Sequence, residues 1–259
     1  MKEIFKQGEW TNQKYLIGLA DTASEKDEAY KLRYEIFNIE LDEGIRENEK
    51  TRRDMDKFDA NCDHLIIKDL SIKKVIATYR IHPSWKTHKD GFYTATEFNI
   101  AKLGLDKRRS IEVGRSCIHQ DHRCNKAIIA MLWIGMRKYS EMNNVDCLFG
   151  VVSVPKCNTE EISSLYQDLL NKGMLIDDGS VTPLPNQKVD LLPNPPATYR
   201  KDLITSLLKG YIKMGAKLMG KPVFDPIFRC YDFFLLLEMK SVNWDYVDSF
   251  SKLLNVEGQ

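Results

Sequence analysis

The alternation of hydrophobic and polar positions along the chain predicts a sheet whose strands are interleaved with helices. Segments with strand character are short apolar or alternating runs, and they lie at residues 15–22, 64–69, 73–83, 110–118, 145–154 and 231–239. The run at 145–154 is apolar throughout and is therefore expected at the centre of the sheet. Helical spacing follows Ser24, which can cap the first helix, and recurs at 125–140, 159–172, 201–219 and from about 243.

Two segments depart from this regular pattern. Residues 42–63 are highly charged and predict a loop or a broken helix. A Pro-rich and helical insertion is expected at about 174–222, before the last strand. The order of elements predicts the α/β fold class, with a mixed sheet, helices on both faces and a single domain over residues 1–259.

Composition and charge narrow the class of protein. Of the 259 residues, 43% are hydrophobic and 29% are charged, as in soluble globular enzymes, and the formal net charge of +1 gives no general attraction to nucleic acid. The first residues lack the apolar core of a secretory signal, and no run is long enough to span a bilayer. The six cysteines include no C-x-x-C pair and are expected as free thiols. We therefore expect a cytoplasmic protein.

Glu112 and Arg115 are the first candidates for chemistry. Both lie in IEVGRSCIHQDHR, residues 111–123, within a run that otherwise has the character of a buried strand. Charged side chains are rarely buried unless they are paired. The two residues are therefore expected to belong to a buried ionic network, to an active site, or to both.

The strand, turn and helix at 111–140 resemble the GCN5-related N-acetyltransferase (GNAT) fold, which implies a mostly antiparallel sheet. In that fold the N-terminus of the helix faces the pyrophosphate of coenzyme A across a glycine-containing loop. The loop corresponds here to residues 123–128, where Arg123 keeps the arginine and both small positions are lost. The missing glycines argue against ordinary acetyl-CoA binding.

A second resemblance, to the ornithine N-acyltransferases of ornithine-lipid synthesis, covers nearly the whole chain. Its blocks occur in order, as RYEIF (33–37), DKFDANCDHL (56–65), TYRI (78–81), FYTATEFNI (92–100), EVGRSCIH (112–119) and LLKGYIKMGAKLMGKPVFDPIFRCYDFFLLLEM (207–239). The chain is more distantly similar to the acyl-homoserine-lactone synthases through Arg33, Phe37, Asp56, Asp59, Arg80, Glu112 and Arg115. The tryptophan that those synthases carry after the phenylalanine has no counterpart between Phe37 and Asp56, which disfavours lactone synthesis.

The resemblance implies an N-acyltransferase that forms an amide. A long-chain, 3-hydroxy fatty acyl group would pass from the phosphopantetheine thioester of an acyl carrier protein (ACP) to the α-amine of an amino acid, with ornithine as the family's acceptor. Acyl-ACP is then a co-substrate, and neither a tightly bound cofactor nor a metal is expected. Three alternatives stay open: another acceptor such as glycine, lysine or glutamine, a lactone-forming signal synthase, and a non-catalytic acyl-ACP-binding module.

The resemblance also implies roles for the matched residues. Attack on a thioester needs a neutral amine, and Glu112 is the expected base, with a structural role in an arginine network as the alternative. Arginine suits the acceptor carboxylate and aspartate suits an ammonium group, so the substrate-binding residues are Arg33, Phe37, Asp56, Asp59, Arg80 and Phe98. The catalytic group is completed by Arg115, Ser116 and Cys117. By analogy with the fold, backbone N–H groups at 116–118 stabilise the oxyanion, and a covalent role for Cys117 is disfavoured.

Basic residues on either side of the candidate site strand are expected to dock the acidic carrier protein and its phosphopantetheine arm. They are Arg108, Arg109, Arg123 and Lys126. A solvated rim is the alternative interpretation of these charges. The lysines of the helix expected at 201–219 suggest a peripheral contact with the inner membrane face, although packing of that helix against the core is the preferred interpretation.

Overall fold

A computed structural model of the protein describes residues 1–3 and 14–249, and the chain divides into two compact units. The first unit comprises Met1–Lys86, Val113–Val145 and the segment from Trp244 onward. The second comprises Thr87–Glu112 and Asp146–Asn243. The prediction of a single domain over 1–259 stays a prediction.

Strands and helices follow the predicted order closely. The strands are Lys2–Glu3 (β1), Tyr15–Leu19 (β2), Asp63–Asp69 (β3), Lys74–Pro83 (β4), Phe98–Asn99 (β5), Ser110–Ile118 (β6), Cys147–Val154 (β7), Leu175–Ile176 (β8), Thr182–Pro183 (β9), Lys217–Asp225 (β10) and Cys230–Glu238 (β11). The helices are Ala23–Tyr34 (α1), Lys126–Met142 (α2), Thr159–Asn171 (α3) and Ser206–Met214 (α4). Residues 244–249 are also helical, where the closing helix was expected.

In the first unit, β1, β2, β3 and β4 lie side by side, each antiparallel to the next. Helix α1 packs its apolar side, including Ala29 and Leu32, against Ile66 and Val75 of the sheet. Helix α2 crosses the same sheet closely at Gly135, where a Cβ atom would lie 2.5 Å from Ile17 Cδ1. This packing fixes the elements that carry the candidate site residues.

In the second unit, β7 pairs with β11 and β11 with β10, both antiparallel, and β8 joins β10 in parallel. A separate two-stranded ladder joins β5 and β9. The core of the unit is a cluster of aromatic and aliphatic side chains, among them Phe98, Phe149 and Phe234. The predicted mixed sheet with mostly antiparallel strands is therefore confirmed.

Two local predictions are wrong. The first helix is capped by Thr22, not Ser24, because Thr22 and Glu25 form a reciprocal capping box. The helix expected at 201–219 spans only Ser206–Met214, because Gly215 takes a left-handed conformation (φ 98°) and ends it. The lysine-rich stretch after it is strand β10 rather than the continuation of an amphipathic helix.

Among the described residues, none of the helices has the length and apolar character needed to cross a bilayer.

Gly220 lies where the register between β10 and β11 shifts, in a left-handed conformation (φ 73°). A Cβ atom there would lie 2.5 Å from the carbonyl oxygen of Val181. Gly220→Ala would therefore meet both a backbone collision and the left-handed penalty of about 1 kcal/mol. We expect it to lower the free energy of unfolding, measured in urea, by roughly 2 kcal/mol or more.

The matched control is Gly179→Ala, because Gly179 has nearly the same φ, 74°, and open space around its Cβ position. It should cost about 1 kcal/mol. Equal losses for the two variants would show that the close approach of Val181 does not constrain this turn.

Candidate active site

A buried arginine lies at the centre of the candidate site in the first unit. Arg33, on α1, is fully buried and donates from Nε to Asp54 Oδ1 (2.8 Å). Its Nη1 and Nη2 donate to the two oxygens of Asp59 at 2.7 and 3.1 Å. This bidentate arrangement fits the planar guanidinium. It joins α1 to the charged segment 42–63, which is predicted to be a loop or a broken helix.

Two further arginines complete the network from β4 and β6. Arg80 Nη1 donates to Asp56 Oδ2 at 2.7 Å and lies 3.6 Å from Asp59 Oδ2. Arg115 lies farther from its partners, 3.4 Å from Asp54 Oδ1 and 3.5 Å from Asp56 Oδ2. The cluster therefore contains three guanidinium groups and three carboxylates, whose formal charges balance.

The aspartates are placed by local backbone hydrogen bonds. Asp54 N donates to Tyr30 O of α1. Asp56 N donates to Asp59 Oδ2, and Phe58 N donates to Asp56 Oδ1. Such turns are typical of aspartate, whose short carboxylate reaches backbone N–H groups nearby. The segment is irregular, as predicted, but its aspartates are held in a fixed arrangement.

Burial and charge act in opposite directions on the pKa values of this network. Burial by itself lowers the pKa of Arg33, but the charges of Asp59 and Asp54 outweigh it, and the pKa lies above its usual value. Burial by itself raises the pKa of Asp59, yet the charges of Arg33 and Arg80 bring that pKa below its usual range. Both groups are therefore charged at neutral pH.

His64 of β3 borders the network as a neutral ring. Burial lowers the pKa of His64 to about 3, against the opposing effect of the Asp59 charge. Its Nε2 lies 3.3 Å from Tyr30 Oη and 3.8 Å from Asp59 Oδ1. Burial, aided by the Asp59 charge, raises the pKa of Tyr30 to about 12. Neither group is a base for chemistry at neutral pH.

Arg115 has an unusual backbone conformation. Its φ is 49°, in the left-handed region, although it lies within strand β6. A non-glycine residue in this region costs about 1–2 kcal/mol, and such strain persists where the surrounding structure enforces it. The conformation interrupts the extended strand at the residue whose guanidinium faces Asp54 and Asp56.

Glu112 belongs to the second unit, where it is held by the one-turn helix Tyr93–Thr96. Its Oε2 accepts from Tyr93 N at 2.9 Å, and its Oε1 accepts from Thr94 N at 2.6 Å and from Thr94 Oγ1 at 2.5 Å. The side chain is almost fully buried. All three bonds use Glu112 as the acceptor, which is what an ionised carboxylate offers.

The remaining catalytic and substrate-binding candidates differ in how far their side chains are buried. Ser116 is partly buried, and Cys117 is buried in a cluster that Phe37 borders. Burial raises the pKa of the Cys117 thiol to about 12, so it is protonated at neutral pH and a poor nucleophile. Phe98 is buried in the apolar cluster of the second unit.

The basic candidates differ in how far their charge is already compensated. Arg123 forms a two-pronged ion pair with Glu40, and Arg108 forms another with Glu238 at 2.8 and 2.6 Å. The Arg109 and Lys126 side chains are exposed. Both side chains are therefore accessible to solvent.

Sequence analysis missed a group of three buried carboxylates in the second unit. Glu97, Asp225 and Asp232 place one oxygen each within 4.8 Å of one another, and Tyr93 Oη donates to Asp225 Oδ2 at 3.3 Å. Carboxylates at this spacing are able to hold a cation. Asp225 and Asp232 lie seven residues apart on the paired strands β10 and β11, but Glu97 comes from a distant part of the chain, so no local spacing links all three. The expectation of no metal stays a prediction.

Asp54 is a second residue that sequence analysis missed. It is fully buried, and its Oδ1 contacts both Arg33 and Arg115. The only signal for it in the sequence is the charged run DMDKFD, whose composition is also typical of an exposed loop. The two aspartates that the resemblance singled out therefore share their arginines with a third.

Comparisons with known proteins identify the fold and the family of the chain. Residues 32–134 match the family model described as an acetyltransferase (GNAT) domain. The CoA-dependent acyl-homoserine lactone synthase MesI superposes with a TM-score of 0.52 at 11% identity, over 94% of this chain and 97% of that protein. At this identity the likeness shows a shared fold, and the predicted GNAT-like fold is confirmed.

Two relatives are closer in sequence. An L-ornithine N(alpha)-acyltransferase from Rhizobium meliloti (strain 1021) is 31% identical over 244 residues, which are 89% of this chain and 82% of that protein. A protein of the same name from Rhodobacter capsulatus is 30% identical over 95% of this chain and 97% of its own length. The predicted resemblance is confirmed: the chain belongs to the L-ornithine N(alpha)-acyltransferase family and is an N-acyltransferase of the GNAT fold.

Proposed function

We propose that the protein transfers a long-chain 3-hydroxyacyl group from acyl-ACP to the α-amine of ornithine, giving an N-acyl amino acid of the lyso-ornithine-lipid type. The observation that carries this proposal is the identity of about 30% to L-ornithine N(alpha)-acyltransferases over most of the chain. The arginine and aspartate network supports it, because an amino acid offers one carboxylate and, in ornithine, two amines for such groups to bind.

In the proposed reaction, the α-ammonium of the acceptor loses a proton and its nitrogen attacks the thioester carbonyl. Glu112 receives that proton through a water molecule. The C–S bond then breaks, the nitrogen gives up a second proton, and the phosphopantetheine sulfur takes up a proton and leaves as the thiol. Backbone N–H groups at 116–118, next to the strained Arg115, stabilise the oxyanion. No covalent enzyme intermediate is required, in agreement with the protonated Cys117 thiol.

Arg115 is the proposed partner of the acceptor carboxylate. Arg33 and Arg80 each donate to an aspartate at 2.7 Å, whereas the contacts of Arg115 with Asp54 and Asp56 are 3.4 and 3.5 Å. Arg115 is also the most exposed of the three, with 8% of its side chain accessible against 0% for Arg33 and 5% for Arg80. Asp56, the least buried of the three aspartates, is the proposed partner of an ammonium group.

The proposed donor is a carrier protein, since carrier proteins are acidic and Arg109 and Lys126 are exposed. Arg108 and Arg123 now pair with Glu238 and Glu40. They are proposed to bind the donor's phosphate when it replaces these carboxylates. A peripheral membrane contact is proposed only as a consequence of the product, which carries a long acyl chain.

The direct test incubates the purified protein with 3-hydroxyacyl-ACP, or with the matching acyl-CoA, and a panel of ornithine, lysine, glycine and glutamine. Products are identified by mass spectrometry. We expect an Nα-acyl ornithine, formed faster from the ACP donor than from the CoA donor. A different acylated amino acid would contradict ornithine as acceptor, a cyclised product would favour a signal synthase, and no product would favour a binding module.

Glu112→Gln keeps the shape of the side chain but removes its basicity. We expect kcat to fall about 100-fold or more, because an amide cannot accept the proton of the acceptor's ammonium group. The control is Thr94→Val, which removes one hydrogen bond to Glu112 and leaves its carboxylate intact. Its kcat should stay within about tenfold of the wild-type value, because the backbone N–H groups of Tyr93 and Thr94 still hold the carboxylate. Equal losses of kcat in both variants would assign Glu112 a supporting role only.

A further inference from the structure

A cavity of about 560 Å³ opens in the second unit. Its floor is apolar, because Phe92, Phe98, Ile100 and Leu105 are each at most 8% exposed. The rest of its lining is partly or fully exposed and includes three polar side chains: Gly91, Ala95, Asn99, Ala101, Gly104, Asp106, Lys107 and Leu184. A site with an apolar floor and few polar groups selects for a ligand that is itself largely hydrocarbon.

The cavity and the candidate base share a single helical turn. Phe92 and Ala95 line the cavity. Tyr93 and Thr94, which lie between them in the chain, donate their backbone N–H groups to Glu112. A ligand seated against Phe92 and Ala95 is therefore separated from Glu112 by the width of this turn. The cavity therefore lies within one helical turn of the candidate base Glu112.

The charge at the rim fits a donor whose chain ends in a phosphate-bearing arm. Lys107, at the rim, has an exposed side chain, and Arg109 two residues later is also exposed. Phosphopantetheine places a phosphate beyond its thioester, so a donor with its hydrocarbon in the cavity would carry an anion outside it. Exposed lysine and arginine attract such an anion.

We infer that this cavity holds the hydrocarbon chain of the acyl donor, and that Ala101 and Leu184 limit the chain length it accepts. The inference rests on the proposed function for the identity of the donor. Burial of methylene groups supplies the affinity, at about 0.8 kcal/mol for each. Each two-carbon extension of the donor should then raise kcat/KM roughly tenfold until the cavity is full.

The test compares wild type with two variants that change the cavity in opposite directions. Ala101→Phe adds an apolar group at the rim, and Leu184→Ala removes one. The control is Ala197→Phe, which makes the same substitution at an exposed position outside the cavity lining. Donors in two-carbon steps from medium to long chains are assayed with ornithine. Displacement of cis-parinaric acid, a fluorescent fatty acid, measures binding without any reaction.

We expect Ala101→Phe to lower kcat/KM for the longest donors about tenfold and to leave kcat/KM for short donors as in wild type. Leu184→Ala should shift the preferred donor to longer chains. Ala101→Phe should also weaken parinaric acid binding about tenfold, and Ala197→Phe should change neither readout. Unchanged chain-length profiles and unchanged parinaric acid affinity in both cavity variants would overturn the inference. Altered fatty-acid binding without any acylated amino acid would support the cavity as a hydrocarbon site and contradict the proposed function instead.

Discussion

The contact of Arg33 with Asp54 and Asp59 is the interaction on which the first unit and its candidate site depend. All three side chains are at most 3% exposed, and transfer of isolated charges to such a place costs several kcal/mol for each ion. The cost is offset only because the guanidinium is bonded to both carboxylates and Arg80 and Arg115 lie beside them. Helix α1, the segment 51–61 and strands β4 and β6 must therefore all be in place together.

The arginines of the network differ in how closely they contact the aspartates. Arg33 and Arg80 each donate to an aspartate at 2.7 Å, whereas Arg115 Nε lies 3.4 Å from Asp54 Oδ1 and its backbone is left-handed. Three residues before it, Glu112 is fixed by Tyr93 and Thr94 of the second unit. Each of these two side chains is therefore oriented by its own set of partners.

The sequence predicted the larger elements because they bury continuous or periodic apolar faces. Strand β7 and helix α2 are examples, and both begin and end within a few residues of the predicted bounds. The first residues of β10, 217–219, were predicted as helix, since leucine, methionine and lysine suit both structures and only the conformation of Gly215 separates them. The cap of α1 was misplaced by two residues because Thr22 and Ser24 are chemically equivalent candidates.

The site was predictable where charged residues fall in short blocks, as with Arg33, Asp56, Asp59 and Arg80. It was not predictable where partners are backbone groups or come from distant segments. Glu112 is held by the backbone N–H groups of Tyr93 and Thr94, and nearly every residue type has such a group, so the sequence does not reveal these contacts. The carboxylates of Glu97, Asp225 and Asp232 meet only through the fold. Long-range convergence of this kind is decided by sheet pairing rather than by local pattern.

The most direct test of this account is the free energy of unfolding of Arg33→Met, measured in urea beside Arg200→Met. Arg200 pairs with Glu161 at the surface, where its side chain is 49% exposed, and its loss should cost less than about 1 kcal/mol. Arg33→Met leaves Asp54 and Asp59 buried without their main partner, and we expect a loss of about 3–5 kcal/mol. A loss below about 1 kcal/mol for Arg33→Met would contradict the claim that this network holds the site together.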